Sequence, residues 1–416
     1  MTGERNWAEN LIYSARRVAR PRTMDELRDT ARGTEQIRVL GSRHCFNDIA
    51  DTTGVLISLA DMPREIDVAG DTVRISGGVR YGDVAPELEK HGKALSNLAS
   101  LPHISIAGAI ATGTHGSGDR LGSLATAVRS VTFLTTEGEE TTISRGDEQF
   151  GGVPVHLGAL GVVTSLELDT QPSYALAQYA FDGPRWDAIL SDYDAVTGLG
   201  DSVSIFTTWG DSERADQLWV KTRAEGVDEH LVAGLGARPA DGPRHPIPGV
   251  AAEACNPQQG VRGPWFERLP HFRMDFTPSV GAELQSEFLV DRSDAVGAIA
   301  AVRQHARLIS PLLHVCEIRS VSSDDLWLSP SNGRDSVALH FTWHPDEVRV
   351  REVLAVLESA LERFDARPHW GKIFTRPEAD VAAQYPRFDD FRELRASMDP
   401  SGRLMNAFTR RLGLGD

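Results

Sequence analysis

The chain has 416 residues, more than a single hydrophobic core usually organises, so two domains are expected. Its 59 acidic against 43 basic side chains give a formal charge of -16. That field repels phosphate backbones, and no dense Lys/Arg stripe overrides it, which excludes nucleic acid as a partner. The N-terminal MTGERNWAENLIYSARR carries no long apolar run, and no stretch approaches the roughly 18 apolar residues of a membrane span. A cytoplasmic protein, without membrane association, is expected.

Only three cysteines occur, Cys45, Cys255 and Cys316, scattered and odd in number. They suit neither a disulfide framework nor a zinc site of CxxC spacing, so no metal is expected. Cys45 beside His44 could be read as a thiol and its base, but adjacent residues on an extended segment point to opposite faces.

In chain order, Thr23 to Glu26 fits a capping box ahead of a helix, and Ile37 to Leu40 reads as a strand. Further strand-like runs at Val55 to Leu59, Val73 to Ser76, Val128 to Thr135 and Val162 to Leu168 are separated by glycine and charged turns. Tyr81 to Lys90 reads as a helix ending near Gly92. Around Pro172 the texture shifts to aromatic strand-like segments, Val203 to Trp209 and Gln217 to Lys221, with helices over Ser293 to His305 and Asp346 to Phe364. The Pro/Gly-rich Arg238 to Pro264 predicts an irregular excursion. From Phe374 the tail holds two short helical patterns and a strand-like or looped Leu404 to Phe408. The class predicted is α+β.

Two segments carry chemistry. In Val39-Leu40-Gly41-Ser42-Arg43-His44-Cys45-Phe46-Asn47 a strand runs into a glycine turn presenting backbone N–H groups and one imidazole, an arrangement able to hold a pyrophosphate. On these residues alone, His44 fits equally a hydrogen-bonded structural histidine. The second, from Ala99 to Gly118, is crowded with glycine, alanine and hydroxyl residues that let a large ligand lie against the backbone. It is neither a Walker loop nor a GxGxxG turn. Ile104, Ile106 and Ile110 interleave it with apolar anchors, which argues against a flexible solvated loop.

With LGALGVVTSLEL, these segments resemble the FAD-binding domain of the vanillyl-alcohol oxidase (para-cresol methylhydroxylase, PCMH-type) flavoprotein family. HFRMDFTPSVGAELQSEFL, CEIRS, HFTW, RPHWGKIFT and NAF extend the resemblance over nearly the whole chain, to the members that oxidise sugar alcohols. The resemblance implies a two-domain α+β fold: a PCMH-type FAD-binding domain over 1–172, an α+β substrate cap over 173–373, and a segment over 374–416 returning to the first domain.

It implies FAD bound covalently through His44. It matches Val39, Leu40, Gly41, Ser42, Arg43 and Cys45, then Ser105, Gly108, Ala109, Ile110 and Ala111, and Val162, to positions contacting the cofactor. Arg43 stands where a glycine is expected. Ser100 matches a position facing flavin and substrate, and Ala99 one beside the flavin that gates oxygen. Ser100, Glu317, Arg319, Thr342 and Lys372 match positions that hydrogen-bond a polyol chain. Glu317 and Arg319, two apart, share one face of a strand, which read alone is also a same-face ion pair; His340 and Thr342 have the same spacing. The expected reaction moves hydride from a terminal primary hydroxyl (xylitol, sorbitol) to flavin N5, giving an aldose, with O2 reduced to hydrogen peroxide. Arg319 and Lys372 would bind the reacting oxygen and Glu317 the next hydroxyls. A monomer is expected. An aldonolactone oxidoreductase and a non-catalytic polyol-binding or flavin-storage protein are the competing readings.

Overall fold

The computed structural model describes residues 3–276 and 283–415; residues 277–282, inside the HFRMDFTPSVGAELQSEFL motif, lie outside the described residues. Among the described residues nineteen strands form four sheets. The chain opens on β1 (Arg17–Ala19), α1 (Met24–Arg32), β2 (Ile37–Leu40) and β3 (Val55–Ser58), the strands running parallel in the order β1-β3-β2. Thr23 caps α1, its Oγ1 accepting from the Glu26 N–H at 3.2 Å. The capping box is only half formed, because the Glu26 carboxylate reaches one residue further back and accepts from Arg22 N–H at 2.7 Å.

Strands β4 (Ile66–Ala69) and β5 (Thr72–Ser76) follow, then α2 (Tyr81–Lys90), β6 (Lys93–Ala94), α3 (Ile106–Ala111), β7 (Val128–Leu134), β8 (Glu140–Ser144) and β9 (Val162–Asp169). They give an antiparallel sheet in the order β4-β5-β9-β7-β8. After α2 the chain reverses at Gly92 with φ +66°, a conformation that favours glycine.

β10 (Gln171–Pro172) pairs back on β6, and from there the chain builds a second sheet. Its members are β11 (Ala175–Asp182), β12 (Ser202–Thr207), β13 (Gln217–Thr222), β14 (Arg238–Pro239), β15 (Gly263–Pro264), β16 (Leu284–Asp291), β17 (Leu313–Val321), β18 (Ser336–Trp343) and β19 (Arg367–Pro368). The order is β14-β11-β13-β12-β17-β18-β16-β19, with β15 beside β11. The expected Pro/Gly-rich excursion is irregular apart from β14 and β15 at its ends. Helices Ala295–Gln304 and Glu347–Leu361 pack on each other, and the first also on β16.

The tail departs from expectation. Leu404 to Asn406 is looped, one of the two expected forms, but Asn406 then caps a third tail helix, Ala407–Arg411, in a capping box with Thr409. Its side-chain amide also donates to the carbonyls of Asp48, Ile49 and Asp51, so the tail closes on the first sheet. The buried Arg38 guanidinium adds a clamp, donating to the Gly158 and Leu404 carbonyls at 2.9 and 3.0 Å. Among the described residues no helix is long and apolar enough to cross a membrane.

Candidate active site

A cavity of about 520 Å³ lies between the two sheets, and the two chemistry-bearing loops meet along one side of it. Ser105 N–H donates to Ser42 Oγ at 3.1 Å, and Ser42 N–H returns a bond to Ser105 Oγ at 3.3 Å. The loops approach so closely that a Cβ on Gly41 or Gly108 would stand 2.6 or 2.8 Å from Ser105 Oγ. This wall therefore exposes backbone and small side chains, as a large ligand pressed against the chain requires.

Of the residues predicted to contact the cofactor, Val39 through Cys45, Ser100, Ser105, Gly108, Ala109 and Ala111 line the cavity, and so does Ala99. Two do not. Ile110 is fully buried among core side chains and anchors α3. Val162 faces the core with Leu134 and Ile57, while Gly161 and Val163 on either side line a smaller adjoining cavity of about 100 Å³. Strand alternation alone causes the difference.

His44 stacks on Trp7 with ring centroids 5.2 Å apart. Its Nδ1 is buried and has no hydrogen-bond partner among the described residues, and burial lowers the ring's pKa to about 4, so the imidazole is neutral. The neighbouring Cys45 is directed at the Gly371 backbone, and burial pushes its thiol up to about 11. It stays protonated and does not serve as a nucleophile. Arg43, standing where a glycine was expected, has φ +66° and adopts glycine's conformation. Its guanidinium pairs with Glu4 at 2.5 Å and its carbonyl accepts from Trp7 N–H at 2.8 Å.

The opposite wall is charged. Register places Glu317 on β17, His340 on β18 and Glu287 on β16 in one row across the sheet. Arg319 and Thr342 lie two residues on from Glu317 and His340, on the same face. Lys372 enters on the loop after β19, which hangs on β16 through bonds from His369 N–H to Glu287 O (3.0 Å) and from Ile373 N–H to Gln285 O (2.9 Å). The same loop is held from the other side: Phe46 N–H donates to Gly371 O at 2.8 Å, and the Asn47 amide to the carbonyls of Trp370 and Lys372 at 2.8 and 2.9 Å. The residues just after His44 thus grip the residues around Lys372.

Glu287, 1% exposed, sits at the centre. Arg319 donates to its Oε1 at 2.5 Å and Lys372 to its Oε2 at 2.6 Å, and His115 Nε2 stands 3.3 Å from Oε1. Burial pushes this carboxyl up, but Lys372 and Arg319 together more than offset it and hold it ionised. Glu317 accepts from His271 Nε2 at 2.8 Å and lies 3.7 Å from Arg319 Nε. His340 is 2.5 Å from Lys372 through Nδ1 and 3.2 Å from Thr342 Oγ1 through Nε2.

The comparisons agree with this geometry. Residues 15–144 match a family model described as FAD binding domain, and 283–412 one described as D-arabinono-1,4-lactone oxidase. The chain is 48% identical to an alditol oxidase of Streptomyces sp., covering 99% of both chains. The chain belongs to the alditol oxidase family. It is also 27% identical to an L-gulono-1,4-lactone dehydrogenase of Mycobacterium tuberculosis, over 98% of each chain. In fold it resembles a cholesterol oxidase of B. sterolicum (TM-score 0.77, 16% identity, covering 98% and 96% of the two chains). A 6-hydroxy-D-nicotine oxidase of Arthrobacter nicotinovorans has TM-score 0.72 at 17% identity, covering 97% and 93%.

Membership of the alditol oxidase family makes the protein an FAD-dependent oxidase of PCMH-type fold, and the cavity suits that cofactor. The unpartnered His44 Nδ1 and the bare glycine wall are the features that fit it. Sequence reasoning missed Glu287, His271 and Lys221, and it noted His115 only as part of the glycine-rich loop. The available signal was a lone charged residue within an otherwise apolar strand, Glu287 in SEFLV and Lys221 in LWVKT.

Proposed function

We propose that the protein oxidises the terminal primary hydroxyl of an alditol such as xylitol or sorbitol to the aldose, with FAD joined covalently to His44. The observation that carries this reading is the charged wall facing the cradle across one cavity, with Arg319 and Lys372 held side by side on Glu287. FAD, when bound in the cradle, would supply the hydride acceptor, with O2 as the final oxidant reduced to hydrogen peroxide. Arg319 and Lys372 donate to the reacting oxygen and lower the cost of alkoxide-like charge in a dry site. Glu317 accepts from the next hydroxyls, and Ser100 and Thr342 complete the polar lining and orient the chain. The buried, unpartnered Nδ1 of His44 supports the tether. The change of sheet near Pro172 and the return of Asn406 support a division into 1–172, 173–373 and 374–416.

Three measurements test this. Acid precipitation should leave yellow flavin on the polypeptide, and free FAD in the supernatant refutes the tether. A peroxide assay should show turnover of xylitol and sorbitol well above that of L-gulono-1,4-lactone; the lactone-oxidase match over 283–412 makes the lactone the alternative to exclude. Lys372→Ala or Arg319→Ala should cut xylitol turnover by about a hundredfold or more at unchanged flavin content. Full activity in both variants sinks the assignment.

A further inference from the structure

Lys221 is a buried amine, lowered by burial to about 7, for which the site described so far has no use. It lies on β13, on the face shared by Gln217 and Trp219, which register places alongside Phe206 and hence beside Glu317. Among the described residues no carboxylate contacts its Nζ. That atom donates to the Leu269 carbonyl and lies 3.0 Å from His271 Nδ1. A lysine buried without an ion pair costs stability that an apolar residue of similar length would not. Its partners indicate what it does.

Burial lowers Lys221 to about 7, and its amine can donate in either form to His271 Nδ1 once the imidazole proton sits on Nε2. That nitrogen faces Glu317 Oε1 at 2.8 Å, where a carboxylate can only accept. The chain Lys221 to His271 to Glu317 therefore has one polarity throughout. The ring is fixed in place as well: Phe206 and Trp219 meet it edge-on with centroids 5.6 and 5.3 Å away, and its backbone N–H donates to Ser100 O at 3.1 Å. Burial lowers the His271 ring to about 4, so it carries no second proton that would blur the assignment. The second lysine of the wall repeats the pattern: Lys372 faces His340 Nδ1, and His340 Nε2 faces Thr342 Oγ1.

We propose that Lys221 and His271 are positioning residues that lock the Glu317 carboxylate in one orientation as an acceptor, and thereby set how tightly the hydroxyls beyond the reacting carbon are held. The statement rests on the alditol reading for its substrate, but not for its tautomer. One oxygen of Glu317 is occupied by His271, and the other is left for Arg319 and the polyol. Without the Lys221 donor, Nδ1 can take the proton, Nε2 then turns a lone pair toward Glu317, and the carboxylate is repelled from its place.

The test uses the flavin-loaded enzyme. Lys221→Met removes the donor and a buried amine, so the variant is expected to fold with full flavin content and a thermal midpoint no lower than that of the wild type. kcat/KM for xylitol should fall about tenfold, chiefly through KM. For 1-propanol, which has no hydroxyl beyond the reacting carbon, it should fall less than threefold. In a Glu317→Gln background the same substitution should cost less than twofold, because the residue through which Lys221 acts is already changed. Equal losses on both substrates, additivity with Glu317→Gln, or xylitol kinetics within twofold of wild type overturn the proposal.

His271→Gln serves as a second variant, keeping an N–H near Nε2 without a titratable ring. It also assigns the His271 signals in imidazole 15N spectra. Those spectra should show protonated Nε2 in the wild type and a shift toward the other tautomer in Lys221→Met; an unchanged tautomer overturns the relay. If the wild type oxidises no polyol, the alditol reading fails, and the 15N comparison still decides the relay by itself.

Discussion

The two sides of the cavity recognise their ligands by opposite means. The cradle, built from 39–45 and 99–118, works through missing side chains: bare backbone, two serines bonded to one another, and glycines where nothing larger fits. The wall works through charge, with Glu287, Glu317 and Arg319 buried on a sheet and Lys372 reaching Glu287 from a loop. The first kind of site comes from two short segments, each legible by itself, and is tolerant of electrostatic change. The second exists only after strands distant in sequence have paired, and each of its charges depends on the others.

This contrast predicts that damage to the wall spoils turnover at constant flavin, whereas damage to the cradle spoils flavin at constant turnover per flavin. The largest effect is expected for Glu287→Gln, which leaves Arg319 and Lys372 buried with one carboxylate fewer. Breaking such a group costs about 3–5 kcal/mol, so turnover of xylitol should fall by roughly two to three orders of magnitude. Turnover within tenfold of wild type, measured by peroxide release, would show that the cations do not need Glu287. Gly108→Ala comes next. Its Cβ would press on Ser105 Oγ at 2.8 Å and displace the serine pair, an overpacking worth about 1–3 kcal/mol. Flavin absorbance per protein should drop while peroxide released per bound flavin stays constant.

Acid sharpens the comparison from the side of stability. Burial lowers His156 to about 3 and His271 and His340 to about 4, below the roughly 6.5 of an unfolded histidine. Unfolding therefore takes up protons between about pH 6.5 and 4. Stability is full above that window and falls as pH drops through it, at a limiting slope near 1.4 kcal/mol per pH unit for each ring. The melting temperature should decline across the window, and the decline should shrink in His156→Gln; a flat profile would mean these rings are not neutral. The smallest effect is expected for Arg43→Gly. Relief of φ +66° is worth about 1 kcal/mol and the half-exposed pair with Glu4 about as much or less, so stability should change by less than about 1 kcal/mol in either direction.

What was legible in the sequence follows the same division. Tyr81 to Lys90 and Ile37 to Leu40 were readable to the residue, because caps, turns and periodicity are local signals. The cradle was readable as a composition. The Val162 side chain packs in the core while Gly161 and Val163 line the smaller cavity, since a resemblance fixes a stretch more firmly than the direction of one side chain on a strand. Leu404 to Phe408 reads as strand-like or looped; Leu404 to Asn406 is looped, and the Asn406 cap, not visible as a local period, turns Ala407 and Phe408 into helix. Glu287 and Lys221 stayed hidden. A charged residue inside an apolar strand has no local partner to betray it, and theirs stand 85 and 50 positions away, at Lys372 and His271.

One junction ties the two sides together: Phe46 and Asn47, just after His44, hold the backbone at Trp370, Gly371 and Lys372. Any shift of the His44 turn is thus transmitted to the ammonium on the far wall without passing through solvent. Thermodynamic reciprocity then requires that whatever factor FAD contributes to polyol affinity, a polyol contributes equally to FAD affinity in the untethered His44→Ala protein. The tether and the substrate wall are in this sense a single coupled unit, and the cofactor acts as an effector of the site it serves.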